Sequence, residues 1–157
     1  LLAKIRPLAI RFLDYYVIIV VFLCVIFLIM VVTSGVPGDT EATTDDKISS
    51  VLFAVPAPAV AFAVSRGVKA EFKKAAERKK PEHWCVRLAK YFCGFAAVMV
   101  IIPVIGSWFE DPAAPLTTRL FELPFMLLLW GVYWQAGVFV IYKVARHSLW
   151  VSGIDDK

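Results

Sequence analysis

The sequence predicts an all-α protein: an integral membrane four-helix transmembrane bundle with its N and C termini on the same side. Three observations predict it. The 157 residues are 60% hydrophobic, against roughly 45–50% in soluble domains, and the mean hydropathy is +0.73. The apolar residues gather in four runs, Phe12–Val32, Ile48–Val64, Tyr91–Trp108 and Leu120–Tyr142. About 20 such residues carry a helix across the ~30 Å hydrocarbon core of a bilayer; the first and last runs reach that length, and the middle two borrow flanking residues. The segments between the runs alternate in charge sign. The N-terminal arm (Lys4, Arg6, Arg11) is basic, the loop carrying Asp39, Glu41, Asp45 and Asp46 is acidic, and residues 65–90 hold nine basic side chains against Glu71, Glu77 and Glu82. Glu110 and Asp111 then oppose Arg119, and the tail opens with Lys143 and Arg146. Basic segments stay on the cytoplasmic side, so both termini and the long basic loop belong to the cytoplasm, matrix or stroma. The expected location is a bacterial cytoplasmic membrane or an organellar inner membrane, with residues 1–157 as a single transmembrane domain.

The chain opens at Leu1, so the natural start is expected upstream or removed by processing. The first run is too long for the h-region of a signal peptide, and the residues after it offer no A-x-A cleavage site. It begins with Arg11, Asp14, Tyr15 and Tyr16. Arg11 and Asp14 stand three apart, a spacing at which helical side chains pair, and tyrosines suit the headgroup region. From Val17 to Val32 the run is apolar on all sides and is expected to face lipid or an apolar partner.

The second run starts after Thr43-Thr44-Asp45-Asp46, which supplies hydroxyl caps and negative charge for a helix N-terminus. Small residues recur at every fourth position on two faces, Ala57/Ala61/Ser65 and Ala59/Ala63/Gly67. That spacing lets membrane helices approach closely, which puts this helix at the bundle centre. Pro56 and Pro58 interrupt it; each removes a backbone donor and kinks the helix. The helix is expected to continue into the basic loop, with Val68 and Phe72 at helical spacing, and Pro81 to occupy the first position of the next helix. That third helix bends near Pro103, and the fourth carries Glu122, Pro124, Trp130, Gly131, Tyr133, Trp134, Gln135 and Gly137.

Chemistry-bearing patterns are sparse. The two histidines, His83 and His147, stand at helix ends on the basic side, which argues against a haem ligated inside the bundle. The three cysteines, Cys24, Cys85 and Cys93, form no C-x-x-C pair, and no His/Cys/carboxylate cluster has ligand spacing. Nucleophile and phosphate-loop motifs are absent, as is asparagine for N-glycosylation. The sequence therefore predicts no catalytic residue, no enzyme activity, no metal and no cofactor beyond bound lipid. Quinone, carotenoid and chlorophyll need few diagnostic residues and stay open. Ionisable groups at membrane depth mark function by default. Asp14 is expected to pair with Arg11, Glu122 with Arg119 or solvent, and Gln135 to make an interhelical hydrogen bond.

The stretch Arg6-Pro-Leu-Ala-Ile-Arg11-Phe-Leu-Asp14-Tyr-Tyr resembles the opening of the RDD family of small membrane proteins, in which an arginine-containing segment leads into a first helix with an early aspartate. The likeness covers about ten residues, and the Gly-Lys segment that such proteins carry later has no clear counterpart here.

The expected function is that of a non-catalytic accessory subunit of a larger respiratory, photosynthetic or secretion complex. Its partners would be other membrane-protein subunits and anionic phospholipids, with no nucleic acid. Arg66, Lys69, Lys73, Lys74, Arg78, Lys79 and Lys80 would contact lipid or partner, since clustered cations beside a span attract anionic lipid at ~1 kcal/mol each. Ala57, Ala59, Ala61 and Ala63 would pack helices. The alternative is a small oligomeric transporter or channel, with Pro56, Pro58, Glu122 and Gln135 along the pathway.

Overall fold

Helix α1 (Leu2–Ser34) is followed by α2 (Thr44–Ala54), α3 (Ala57–Glu77), α4 (Trp84–Val98), α5 (Leu116–Leu128), a π-helix (Leu129–Trp134) and α6 (Gln135–Val151). The computed structural model describes residues 2–34, 43–77, 82–100, 102–103, 105–106 and 116–153. The described protein is all-α. Among the described residues, three helical segments are long and apolar enough to cross a membrane by length and composition: Pro7–Thr33, Thr44–Glu77 and Glu122–Val151. The chain is thus a multi-pass integral membrane protein. The expected third span differs. Helix α4 begins at Trp84, ahead of Tyr91, and has 15 residues, about 22 Å at the helical rise per residue. The rest of that run lies partly outside the described residues.

In lipid, burying apolar side chains between helices gains little over leaving them in acyl chains, so close packing and interhelical hydrogen bonds decide the assembly. Helix α1 shows the first. Val20, Cys24, Phe27 and Val31, spaced by four and three, are buried and form one stripe, while Ile18, Phe22, Ile29 and Val32 remain exposed. The stripe meets Ala54, Ala57 and Ala61 of the second segment and Leu128 and Val132 of the last. The rings of Phe27, Phe53, Phe125 and Tyr133 pack around this centre, with Phe53 at 5.1 Å from Phe125 and 4.9 Å from Tyr133 between centroids.

Helix α2 opens with a reciprocal cap: Thr43 Oγ1 accepts from the Asp46 N–H, and Asp46 Oδ2 accepts from the Thr43 N–H at 2.9 Å. The ladder breaks at Val55-Pro56, between α2 and α3. Val55 keeps right-handed helical angles (φ −59°, ψ −42°) and its N–H still donates to the Val51 carbonyl at 2.9 Å, so the chain runs on as a helix across the break. Pro58 has no N–H to offer the Ala54 carbonyl four residues back. The Cys24 thiol of α1 donates to that carbonyl instead, at 3.5 Å. Next to it, the Tyr133 hydroxyl donates to the Phe53 carbonyl. Two carbonyls at the break are thus satisfied from neighbouring helices, the kind of compensation a membrane interior requires.

The expected fourth helix is likewise interrupted, by a π-helix that the sequence reading did not foresee. Its Gly131 carbonyl accepts from the Tyr16 hydroxyl at 2.7 Å. Helix α4 ends beside it. The carbonyls of Ala96 and Ala97 belong to its last turn, which lacks intrahelical donors, and they accept from Trp134 Nε1 at 3.0 Å and Gln135 Nε2 at 2.9 Å. Helix α4 caps at its other end on His83, whose Nδ1 accepts from the Cys85 N–H. Pro81 therefore precedes the cap rather than occupying the first helical position, and itself lies outside the described residues.

Candidate functional site

Most charged contacts gather at one end of the molecule. Leu13 and Ser65 approach each other there, with Ser65 Oγ donating to the Leu13 carbonyl at 3.1 Å, while Cys24 meets Ala54 further along. Helices α1 and α3 therefore run in opposite directions. The same reasoning sets α6 alongside α3, since Tyr133 meets Phe53 and Tyr142 meets Glu71. The beginning of α1, the last turns of α3 and the last turns of α6 converge on one polar layer.

Glu71 is the centre of that layer. Its side chain is 11% exposed and pairs with Lys143 and Arg146. The Tyr142 hydroxyl donates to its Oε2 at 3.3 Å. Tyr142 and Arg146 lie one turn apart on α6, so both reach the same carboxylate from one face. Lys143 also stands 5.4 Å above the Phe139 ring, and that ring closes on Gly67. A Cβ at position 67 would come within 2.7 Å of Phe139 Cε1. At the edge of the layer Lys69 pairs with Asp14. On α4, Lys90 donates to Glu82 at 2.7 and 2.8 Å.

The expected pairing of Asp14 with Arg11 is thus corrected. Asp14 reaches across to α3, because the antiparallel approach of α1 and α3 brings Lys69 against it, and a contact between helices displaces the local one. The cations expected to meet lipid or partner separate into groups: Lys69 is engaged by Asp14, Arg66, Lys73 and Lys74 are exposed, and Arg78, Lys79 and Lys80 lie outside the described residues. Among the packing alanines, Ala57 and Ala61 are fully buried, while Ala59 and Ala63 are exposed. Of the residues suggested for a pathway, Pro56 and Glu122 are exposed and Pro58 is half-buried. Gln135 donates to the Ala97 carbonyl. Glu122 and Gln135 are separated by about 20 Å of helix at the usual rise, so they share no site. The side chain of Arg119, the expected partner of Glu122, is outside the described residues.

Glu71 was missed as a site residue. It counted as one acid in a basic loop, and its three partners lie over seventy positions away. The available signal was its register: it follows Val64 and Val68 at helical spacing, so it continues the inward face of α3. Among the described residues no group of three His, Cys, Asp or Glu side chains could hold a metal, and Cys24, Cys85 and Cys93 are free thiols. The Trp130 indole N–H is buried with no hydrogen-bond partner among the described residues. No protein-family model matches the chain, and no curated protein and no solved structure is significantly similar to it.

Proposed function

We propose that the protein is a non-catalytic accessory subunit of a larger membrane complex. The observation that carries this reading is where the polar groups point. Tyr16, Cys24, Tyr133, Trp134 and Gln135 each donate to a backbone carbonyl of another helical segment, so these five polar groups fasten helices to one another. The outward surface is broad and apolar instead: Leu88, Tyr91, Phe92 and Phe95 of α4 and Phe22 and Ile29 of α1 are all exposed. Such faces suit lipid and neighbouring membrane subunits. In this reading α4 and the residues after it complete a fourth span, both termini lie on the cytoplasmic, matrix or stromal side, and the membrane is a bacterial cytoplasmic or organellar inner one. Arg66, Lys73 and Lys74, continued by Arg78, Lys79 and Lys80, face anionic phospholipid or an acidic partner surface. Nucleic acid has no part.

Extraction from the native membrane in mild detergent, followed by identification of co-migrating proteins by mass spectrometry, tests this. Stoichiometric recovery with other membrane proteins is expected, and reversing Arg66, Lys73, Lys74 and Arg78 to glutamate should weaken it. Recovery as a lone chain would refute the subunit role. A second reading, a small oligomeric transporter, draws on the proline break and the π-helix, which meet where Tyr133 bonds the Phe53 carbonyl. Broken helices of this kind line binding sites in transporters. Flux through liposomes containing only this protein, lost on Pro56→Ala, would favour it over the first.

A further inference from the structure

The basic end of the molecule carries an open groove. Leu8, Ala9, Phe12 and Leu13 of α1 and Val68 and Phe72 of α3 line about 340 Å³ with a wholly apolar wall. Leu8 is 69% and Phe12 64% exposed, so the slot opens outward. Arg11 directly precedes Phe12, and Lys73 directly follows Phe72. Both cations are exposed, and neither has a hydrogen bond or ion pair among the described residues. The nearby Lys69 differs, since Asp14 neutralises it.

We propose that this groove holds one acyl chain of an anionic phospholipid, with Arg11 and Lys73 meeting its phosphate. The inference rests on the lipid contact proposed above and gives it a place. Both parts of the site are needed to choose this occupant. An acyl chain matches the apolar wall. Two exposed cations, each next in sequence to a lining ring (Arg11 to Phe12, Lys73 to Phe72), then favour a negative headgroup, through charge-assisted hydrogen bonds to phosphate oxygens. A zwitterionic lipid fills the slot equally well but brings its own cation towards Arg11 and Lys73. A free phosphate engages the cations and leaves the slot unused. The long stems of Arg and Lys let their charged heads reach a lipid headgroup away from their own backbone.

The test uses the full chain in bilayer discs of equimolar phosphatidylglycerol and phosphatidylcholine, with retained lipids counted by native mass spectrometry after release. Each cation near an anionic surface favours it about fivefold, so roughly 25-fold enrichment of phosphatidylglycerol is expected for the pair. The double variant Arg11→Gln/Lys73→Gln should retain lipid with that preference lost. Ala9→Phe should plug the groove and lose the retained lipid. An unchanged preference in the double variant, or unchanged retention in Ala9→Phe, overturns the proposal. Should Ala9→Phe fail to fold, phosphatidylglycerol with a photoreactive group in mid-chain serves on the wild-type protein. Cross-links concentrated on Leu8–Leu13 and Val68–Phe72 support the site, and cross-links spread evenly over the exposed face of α4 overturn it. Co-purification is scored separately: a chain recovered alone that still selects phosphatidylglycerol keeps this site and sinks the subunit role.

Discussion

Replacing Glu71 by alanine removes the acceptor that three side chains of α6 share. The Glu71 side chain is 11% exposed and that of Arg146 17%, so their contact is largely shielded from water; Lys143, at 41%, is partly screened. A hydrogen bond to a charged group is worth about 1.5–3 kcal/mol, and exposed ion pairs about 0–1. Counting Arg146 nearly in full, Lys143 at the low end and the long 3.3 Å Tyr142 bond as minor, Glu71→Ala should cost about 2–3 kcal/mol. Glu71→Gln keeps an acceptor for one donor and should cost about half of that. Reversible unfolding in mixed micelles, as the mole fraction of dodecyl sulfate rises, measures both. A double-mutant cycle with Arg146→Ala isolates the pair and should show a coupling of at least ~1 kcal/mol, as expected for side chains in contact. If Glu71→Ala unfolds within ~0.5 kcal/mol of wild type, or if the two substitutions simply add, the polar layer does not hold α3 to α6 and the argument fails.

Two further substitutions probe the packing of α3. Ala61→Leu forces a larger side chain into a fully buried position and should destabilise by about 1–3 kcal/mol, whereas Ala63→Leu, on the exposed face, should stay within about 0.5 kcal/mol; equal effects in the same unfolding assay would refute the assigned face. Gly67→Ala drives the Phe139 ring from its seat and should also cost about 1–3 kcal/mol, with Phe139→Leu in the same chain restoring most of the loss; no rescue would mean that the strain lies elsewhere.

Local chemistry was the legible part of this fold. The Thr43–Asp46 cap and the break at the paired prolines follow from residues within a few positions of each other, and local rules reach that far. The small-residue pattern was legible only up to an ambiguity. Ala57/Ala61 and Ala59/Ala63 have the same spacing, and only the partner stripe Val20, Cys24, Phe27 and Val31 decides that the first pair is buried. What came from distant parts of the chain was not legible. Asp14 had a plausible neighbour in Arg11 and found Lys69 across a helix interface instead. Glu71 became a hub only once α6 lay beside α3. The π-helix was invisible for a different reason: a run such as Leu129-Trp-Gly-Val-Tyr-Trp134 fits an α-helix equally well, and the contacts of Tyr16 and Tyr133 accompany its departure from that form.

That departure sets the phase of everything after it. A π-turn accommodates one residue more than an α-turn over the same stretch of ladder, and each residue of an α-helix rotates the next by about 100°. Removing one residue from the π-helix would therefore turn α6 about its own axis by more than a quarter of a circle. Phe139, Tyr142 and Arg146 would swing together away from Gly67 and Glu71, while α5 stayed where it is. The surplus residue works as a gear tooth: it lets one continuous helix present Leu128 and Val132 to α1 in its first half and a different set of side chains to α3 in its second.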